Sequence, residues 1–171
     1  MISLSTLNEM PDDTFVATLK DIFEHSPWVA EGAVGQRPFK SVRSLHSAMV
    51  NVVGDASHRK QLDLICAHPD LAGKAALAGD LTESSTSEQS GAGLDSLNEE
   101  EYQKFHSLND AYKAKFGFPF ILAVKGHDKH SILKAFEARL QNDVENEQIE
   151  ALKQIGEIGR YRLESLIKYE A

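Results

Sequence analysis

Only one run in this chain, Phe118–Val124, could pass for a β-strand, and no other segment alternates polar with apolar residues to pair with it. A strand without a ladder leaves its N–H and C=O groups wanting partners. The run is therefore expected to be an extended, buried connector, some of whose backbone groups a ligand can supply with partners. Nearly everything else repeats at helical spacing. The expected fold is all-α: a compact, single-domain, irregular bundle of about eight helices spanning residues 1–171.

The helices can be placed by their punctuation. Pro11 reads as a first-turn proline ahead of Phe15, Leu19, Ile22 and Phe23, and Ser26-Pro27-Trp28 ends that helix. Arg37-Pro38-Phe39 is a second break. Ser41 is expected to cap a helix carrying Val42, Leu45, Met49 and Val52/Val53, closed by Gly54. A further helix runs from about Ser57 to His68, where Pro69 stops it. Residues 72–83 read as a loop or short turns. Ser85-x-x-Glu88 and Ser96-x-x-Glu99 both have capping-box spacing, and the first opens a short helix to about Leu94. The second opens the clearest helix, with Tyr102, Phe105, Leu108/Asn109, Tyr112 and Phe116 on one face and Gly117 at its end. Asp128 caps a helix with Ile132, Leu133, Phe136 and Leu140. A last long helix carries Ile149, Leu152, Ile155, Leu163, Leu166 and Ile167.

Charge and cysteine usage narrow the function. The net charge of −8, with no Lys/Arg-rich run, argues against nucleic acid or an anionic membrane as partner, but not against a small anion in a cleft. The single cysteine, Cys66, allows no internal disulfide and fits a reducing compartment; its apolar neighbours place it in the core. No signal-like leader and no bilayer-length apolar stretch is visible, so the cytoplasm is the expected location.

Three polar-rich patches, His68–Lys74, Ser85–Leu94 and Phe116–Gly126, each interrupt a helical pattern and carry the chemistry. His68 stands at a helix end, where the partial negative charge favours imidazolium and keeps a proton available to a general acid; a C-capping histidine is the structural alternative. Glu88 and Gln89 pair a carboxylate with an amide that both donates and accepts; Glu88 as the last member of a capping box is the alternative. Gly91 and Gly93, costly in a helix, favour a close approach there. Arg160 and Arg162 lie on opposite edges of the apolar stripe of the last helix, and spacing does not choose between them. His127 and His130 have an i,i+3 spacing that would suit a metal, but no third ligand stands near them, so no metal site is expected. No Gly-x-Ser-x-Gly elbow supports a serine nucleophile.

The motifs together resemble a known family. They are His68-Pro69-Asp70-Leu71, Ser87-Glu88-Gln89-x-x-Ala92-Gly93-Leu94, and Phe105-x-x-Leu108-Asn109-x-x-Tyr112-x-x-Lys115-Phe116-Gly117-Phe118-Pro119-Phe120-Ile121. Ser26-Pro27-Trp28-Val29-Ala30-Glu31 and Ile158-Gly159-Arg160-Tyr161-Arg162-Leu163 also fit. The chain resembles 2-oxo-4-hydroxy-4-carboxy-5-ureidoimidazoline (OHCU) decarboxylases, which act last on the route from uric acid to allantoin. The resemblance implies an all-helical, cofactor-free homodimer that decarboxylates OHCU to (S)-allantoin. It implies His68 as catalytic acid/base and Arg162 as the tail arginine before a leucine; Glu88 is assigned beside them as the catalytic carboxylate that fixes His68. It implies substrate contacts at Pro69, at Ser85, Thr86, Ser87, Glu88 and Gln89, and at Phe120, Ile121, Leu122, Ala123 and Val124. Lys125 stands where many relatives place an arginine. A metal-dependent hydrolase built on His127 and His130, or a helical module that binds a small ligand without turnover, are the rival readings.

Overall fold

The computed structural model describes residues 1–73 and 78–168. Among them the protein is all-α, with nine α-helices, one 3-10 turn and no strand, as the missing period-two pattern predicts. Among the described residues no helix is long and apolar enough to cross a membrane. Contacts gather into two units, residues 1–67 with the chain from 156 onward, and residues 68–155.

The first unit opens with α1 (Leu4–Glu9) and α2 (Asp12–Leu19). Pro11 is the residue before α2, not its first turn. Then come α3 (Trp28–Ala33), the 3-10 turn Val34–Gln36, α4 (Val42–Asp55) and α5 (His58–Cys66). Ser41 caps α4 in a reciprocal box with Ser44, and Leu45, Ala48, Met49 and Val53 bury one face of it. α3 packs on α4 closely enough that only glycine fits at 32: a Cβ there would lie 2.6 Å from Val52 Cγ1. Asn8 holds the Phe39 peptide from both sides, donating to its carbonyl at 2.9 Å and accepting its N–H at 2.7 Å. Ile2 bridges to the end of the last helix, donating to Leu166 O at 2.9 Å and accepting from Lys168 N at 2.8 Å.

The second unit contains α6 (Glu83–Gly91), α7 (Glu99–Phe116), α8 (Lys129–Arg139) and the first half of α9 (Val144–Leu166). α7 starts at an Asn98–Glu101 capping box, not at the Ser96–Glu99 pair of identical spacing. It ends at Gly117, whose φ of +78° needs no Cβ, as the sequence predicts. Phe105, Asn109, Tyr112 and Phe116 form its buried face. Around Tyr112 gather Phe116, Phe118, Phe120 and Phe136, with Phe120 stacked on Phe136 at 3.8 Å between centroids. Each buried ring contributes about 1.5–3 kcal/mol by leaving water. On α9 the buried face begins Glu147, Ala151, Ile155, while Ile149, expected inside, is 62% exposed.

Candidate active site

α5 stops at Cys66, two residues short of its expected end, and Ala67 closes it with three backbone contacts. His68 follows and is only 8% exposed, which is unusual for an ionisable side chain on an irregular segment. Pro69 beside it is half-buried. The chain then makes a tight turn. Ala72 takes φ +53°, a region L-residues avoid, and a Cβ on Gly73 would fall 2.7 Å from the Asp70 Cβ. Side chains from two helices hold this turn. Gln89 Oε1 accepts the Ala72 N–H at 2.9 Å, and Gln89 Nε2 donates to Asp70 O at 3.3 Å. Asn109 Nδ2 donates to Leu71 O at 2.9 Å, and Lys113 Nζ pairs with Asp70 Oδ2 at 2.6 Å.

The helix that carries Gln89 begins one turn earlier than expected. Thr82 is its N-cap, its hydroxyl accepting the Ser85 N–H at 3.2 Å. The capping-box reading of Ser85 and Glu88 is thereby corrected: Ser85 lies inside the first turn and Glu88 in the body of α6. Ser85 and Gln89, four residues apart, share the buried side. Glu88 is half-buried on its flank. Thr86 and Ser87 are exposed, and the Thr86 hydroxyl bonds back to Thr82 O at 2.9 Å. The two contacts of Gln89 thus set the Glu88 helix directly on the His68 turn.

The run after α7 is the extended connector predicted from its isolation. Phe120, Ile121, Leu122 and Val124 are buried and Ala123 half-buried, in irregular backbone. Two polar side chains serve its backbone. Arg139 Nη1 donates to Ile121 O, and Gln154 Oε1 accepts the Ala123 N–H at 3.0 Å. Arg139 lies over the Phe120 ring at 4.5 Å and pairs with Glu147, which has no exposed surface. Glu147 also accepts from Tyr112 Oη at 2.5 Å and Asn142 Nδ2 at 3.0 Å. Burial and the bond to Glu147 raise the Tyr112 pKa well above its ordinary value, so it stays a donor. Arg139 and Glu147 were not singled out in the sequence. The available signal was a charge on each apolar stripe, Arg139 after Ile132 and Phe136, Glu147 before Ala151 and Ile155.

Arg162 belongs to the first unit and is 7% exposed. Its Nη1 meets Glu24 Oε2 at 2.8 Å and donates to Asp21 O at 3.0 Å; Glu24 is 1% exposed. Arg160 instead makes surface pairs with Glu157 and Glu164 and lies over Tyr161. Of the two arginines, then, Arg162 is the buried one. The same unit has a groove of about 750 Å³ lined by Trp28, Gln36, Asn51, Asp55 and Lys60 among others, and no predicted site residue lines it. Cys66, expected in the core, is exposed because it falls on the outer side of α5. Its thiol pKa is raised, first by partial desolvation and then by the Asp63 carboxylate, the reverse of what a nucleophile needs. The His127 ring is tied to Ser131 Oγ at 2.9 Å, and among the described residues no three His, Cys, Asp or Glu side chains gather as a metal would require.

The family model described as OHCU decarboxylase matches residues 8–164. A 2-oxo-4-hydroxy-4-carboxy-5-ureidoimidazoline decarboxylase from Haloferax volcanii is 43% identical over 162 residues, covering 95% of this chain and 94% of that protein. The uric acid degradation bifunctional protein PucL from Bacillus subtilis is 44% identical over 167 residues, which are 98% of this chain but 33% of that protein. A crystal structure of (S)-allantoin synthase superimposes with a TM-score of 0.79 at 34% identity, covering 97% of this chain and 54% of the other.

Proposed function

The chain belongs to the OHCU decarboxylase family, and on that premise we propose that it converts OHCU to (S)-allantoin and CO2 in urate degradation. The family match over residues 8–164 carries this reading. The buried histidine on a clamped, strained turn supports it.

The substrate carries its own electron sink. When the bond from C4 to its carboxylate breaks, the electron pair passes toward the C5 imine and CO2 leaves. C5 then gains a proton, and the C4 hydroxyl gives one up to become the carbonyl of allantoin. The imine nitrogen, where the electron pair left by the carboxylate ends, takes up one further proton, so atoms and charge balance without a cofactor and none is assigned. The protein's part is to hold the breaking bond perpendicular to the ring and to present one proton to one face of C5.

His68 is proposed as the acid/base nearest the reacting carbons. Glu88 orients it or binds ureido and ring N–H groups. Pro69, the Ser85–Gln89 segment and the backbone of Phe120–Val124 line the substrate. Gln89 already spends one acceptor and one donor on the turn, so its contribution to the ring is through its remaining amide valences. Arg162 is proposed to hold an anionic or carbonyl oxygen of the substrate, with Glu24 fixing the plane of its guanidinium. A homodimer in a reducing cytoplasm completes the proposal, supported by the family resemblance and the single cysteine.

Spontaneous decay of OHCU yields racemic allantoin, so optical activity tests the proposal. Circular dichroism of allantoin formed from freshly generated OHCU should show the (S) signal growing faster with the protein than without it. Equal rates and a racemic product would overturn it.

A further inference from the structure

We infer that one turn of α7, Asn109 to Lys113, is the common reference that places both segments of the candidate site, and that Asn109 is a positioning residue acting through the His68 turn. The inference rests on the decarboxylase reading for its kinetic consequence, but its structural part stands alone.

The Leu71–Ala72 peptide is gripped at both ends. Its C=O accepts from Asn109 Nδ2 at 2.9 Å and its N–H donates to Gln89 Oε1 at 2.9 Å. One turn further along α7, Lys113 pairs with Asp70 at 2.6 Å. Between them Tyr112 points at the second segment: its hydroxyl donates to Glu147, Glu147 pairs with Arg139, and Arg139 donates to Ile121 O. Residues 109, 112 and 113 are neighbours on one side of the helix, from which 109 and 113 reach the His68 turn and 112 reaches Glu147. A rigid helix of 18 residues thus fixes the spacing of two irregular segments that have no regular structure of their own. Among the described residues Asn109 serves as a donor only, since its Oδ1 is buried and accepts no bond there. Ala72 at φ +53° would relax away from this geometry if released. A proton donor displaced by about 1 Å loses about 100-fold in rate without losing the groups that bind substrate.

Asn109→Leu tests this, because leucine matches the volume and removes both the donor and the unpaired acceptor. Measured on OHCU, kcat should fall about tenfold or more while KM stays within about twofold, and the enantiomeric purity of the allantoin should drop. Wild-type kcat and optical purity would overturn the inference. If Asn109→Leu does not fold, Lys113→Met decides at an exposed position. There kcat should fall about twofold to fivefold at unchanged melting temperature, and no change would overturn the inference. If the wild type itself does not turn over OHCU, the functional reading fails separately, and amide exchange at Ala72 still reads the latch. Faster exchange in Asn109→Leu supports it, and equal exchange refutes it.

Discussion

The side-chain oxygen of Gln89 accepts the backbone N–H of Ala72 at 2.9 Å, on a residue held at φ +53°. A buried amide thus stabilises a backbone conformation that alanine avoids, four residues after the candidate acid/base. Releasing the clamp and relieving the strain should have opposite effects on stability. Gln89→Glu keeps an acceptor for Ala72 but sets a carboxylate oxygen against Asp70 O, and should cost about 1–3 kcal/mol. Ala72→Gly should instead be neutral or gain up to about 1 kcal/mol, since glycine takes positive φ freely. Urea denaturation of both variants checks the pair, and equal losses would contradict the strain argument.

Arg139 and Glu147 form a buried pair that holds Ile121 O and, through Phe120, the start of the connector. Arg139→Met should cost about 3–5 kcal/mol because it strands the Glu147 carboxylate, whereas Arg139→Met with Glu147→Leu should recover most of that loss. The double variant should stay defective in kcat, since Ile121 O still lacks its donor. Thermal melts combined with turnover separate these two effects.

Tyr112 gives a pH prediction. In the unfolded chain a tyrosine ionises near its ordinary value of 10.0; in the native protein its pKa is raised by burial and by Glu147. The native state therefore holds one more proton above that pH, and stability falls as pH rises through the tyrosine range. Tyr112→Phe should flatten the dependence of the denaturation midpoint between about pH 10 and 11 and cost about 1–3 kcal/mol below it, because a hydrogen bond to Glu147 is lost. A variant as pH-sensitive as the wild type would contradict this assignment.

In the first unit, Glu24→Gln should weaken the grip on Arg162 more than Arg160→Ala disturbs anything. The Glu24–Arg162 pair is buried, with 1% exposure at Glu24, whereas the partners of Arg160 are on the surface. Glu24→Gln should lower stability by about 2 kcal/mol or more, since a buried charge is left poorly paired. Arg160→Ala should change it by less than about 1 kcal/mol. Melting curves compare them directly.

What the sequence made legible was periodic. The α7 face, its Gly117 stop and the Asp128 cap all followed from spacing and turn chemistry, and so did the unpaired connector. Errors came where two local solutions have the same spacing. Ser96–Glu99 and Asn98–Glu101 both have capping-box spacing, and α7 starts at the second. Ser85–Glu88 gave way to Thr82 because α6 starts a turn sooner. The His68 motif was visible as residues, but its support was not. Gln89, Asn109 and Lys113 reach it from 17 to 43 positions away, and no local rule encodes such contacts. Arg139, Glu147 and Glu24 were hidden for a related reason: a charge on an apolar stripe reads as solvated until its buried partner is known.

The central claim is that the buried imidazole delivers the proton that makes allantoin optically active. The most direct measurement is circular dichroism of allantoin formed from freshly generated OHCU by His68→Asn, with far-ultraviolet dichroism confirming the helices. The account predicts an intact fold, the uncatalysed rate and racemic product. A His68→Asn protein that still made (S)-allantoin at the wild-type rate would contradict it.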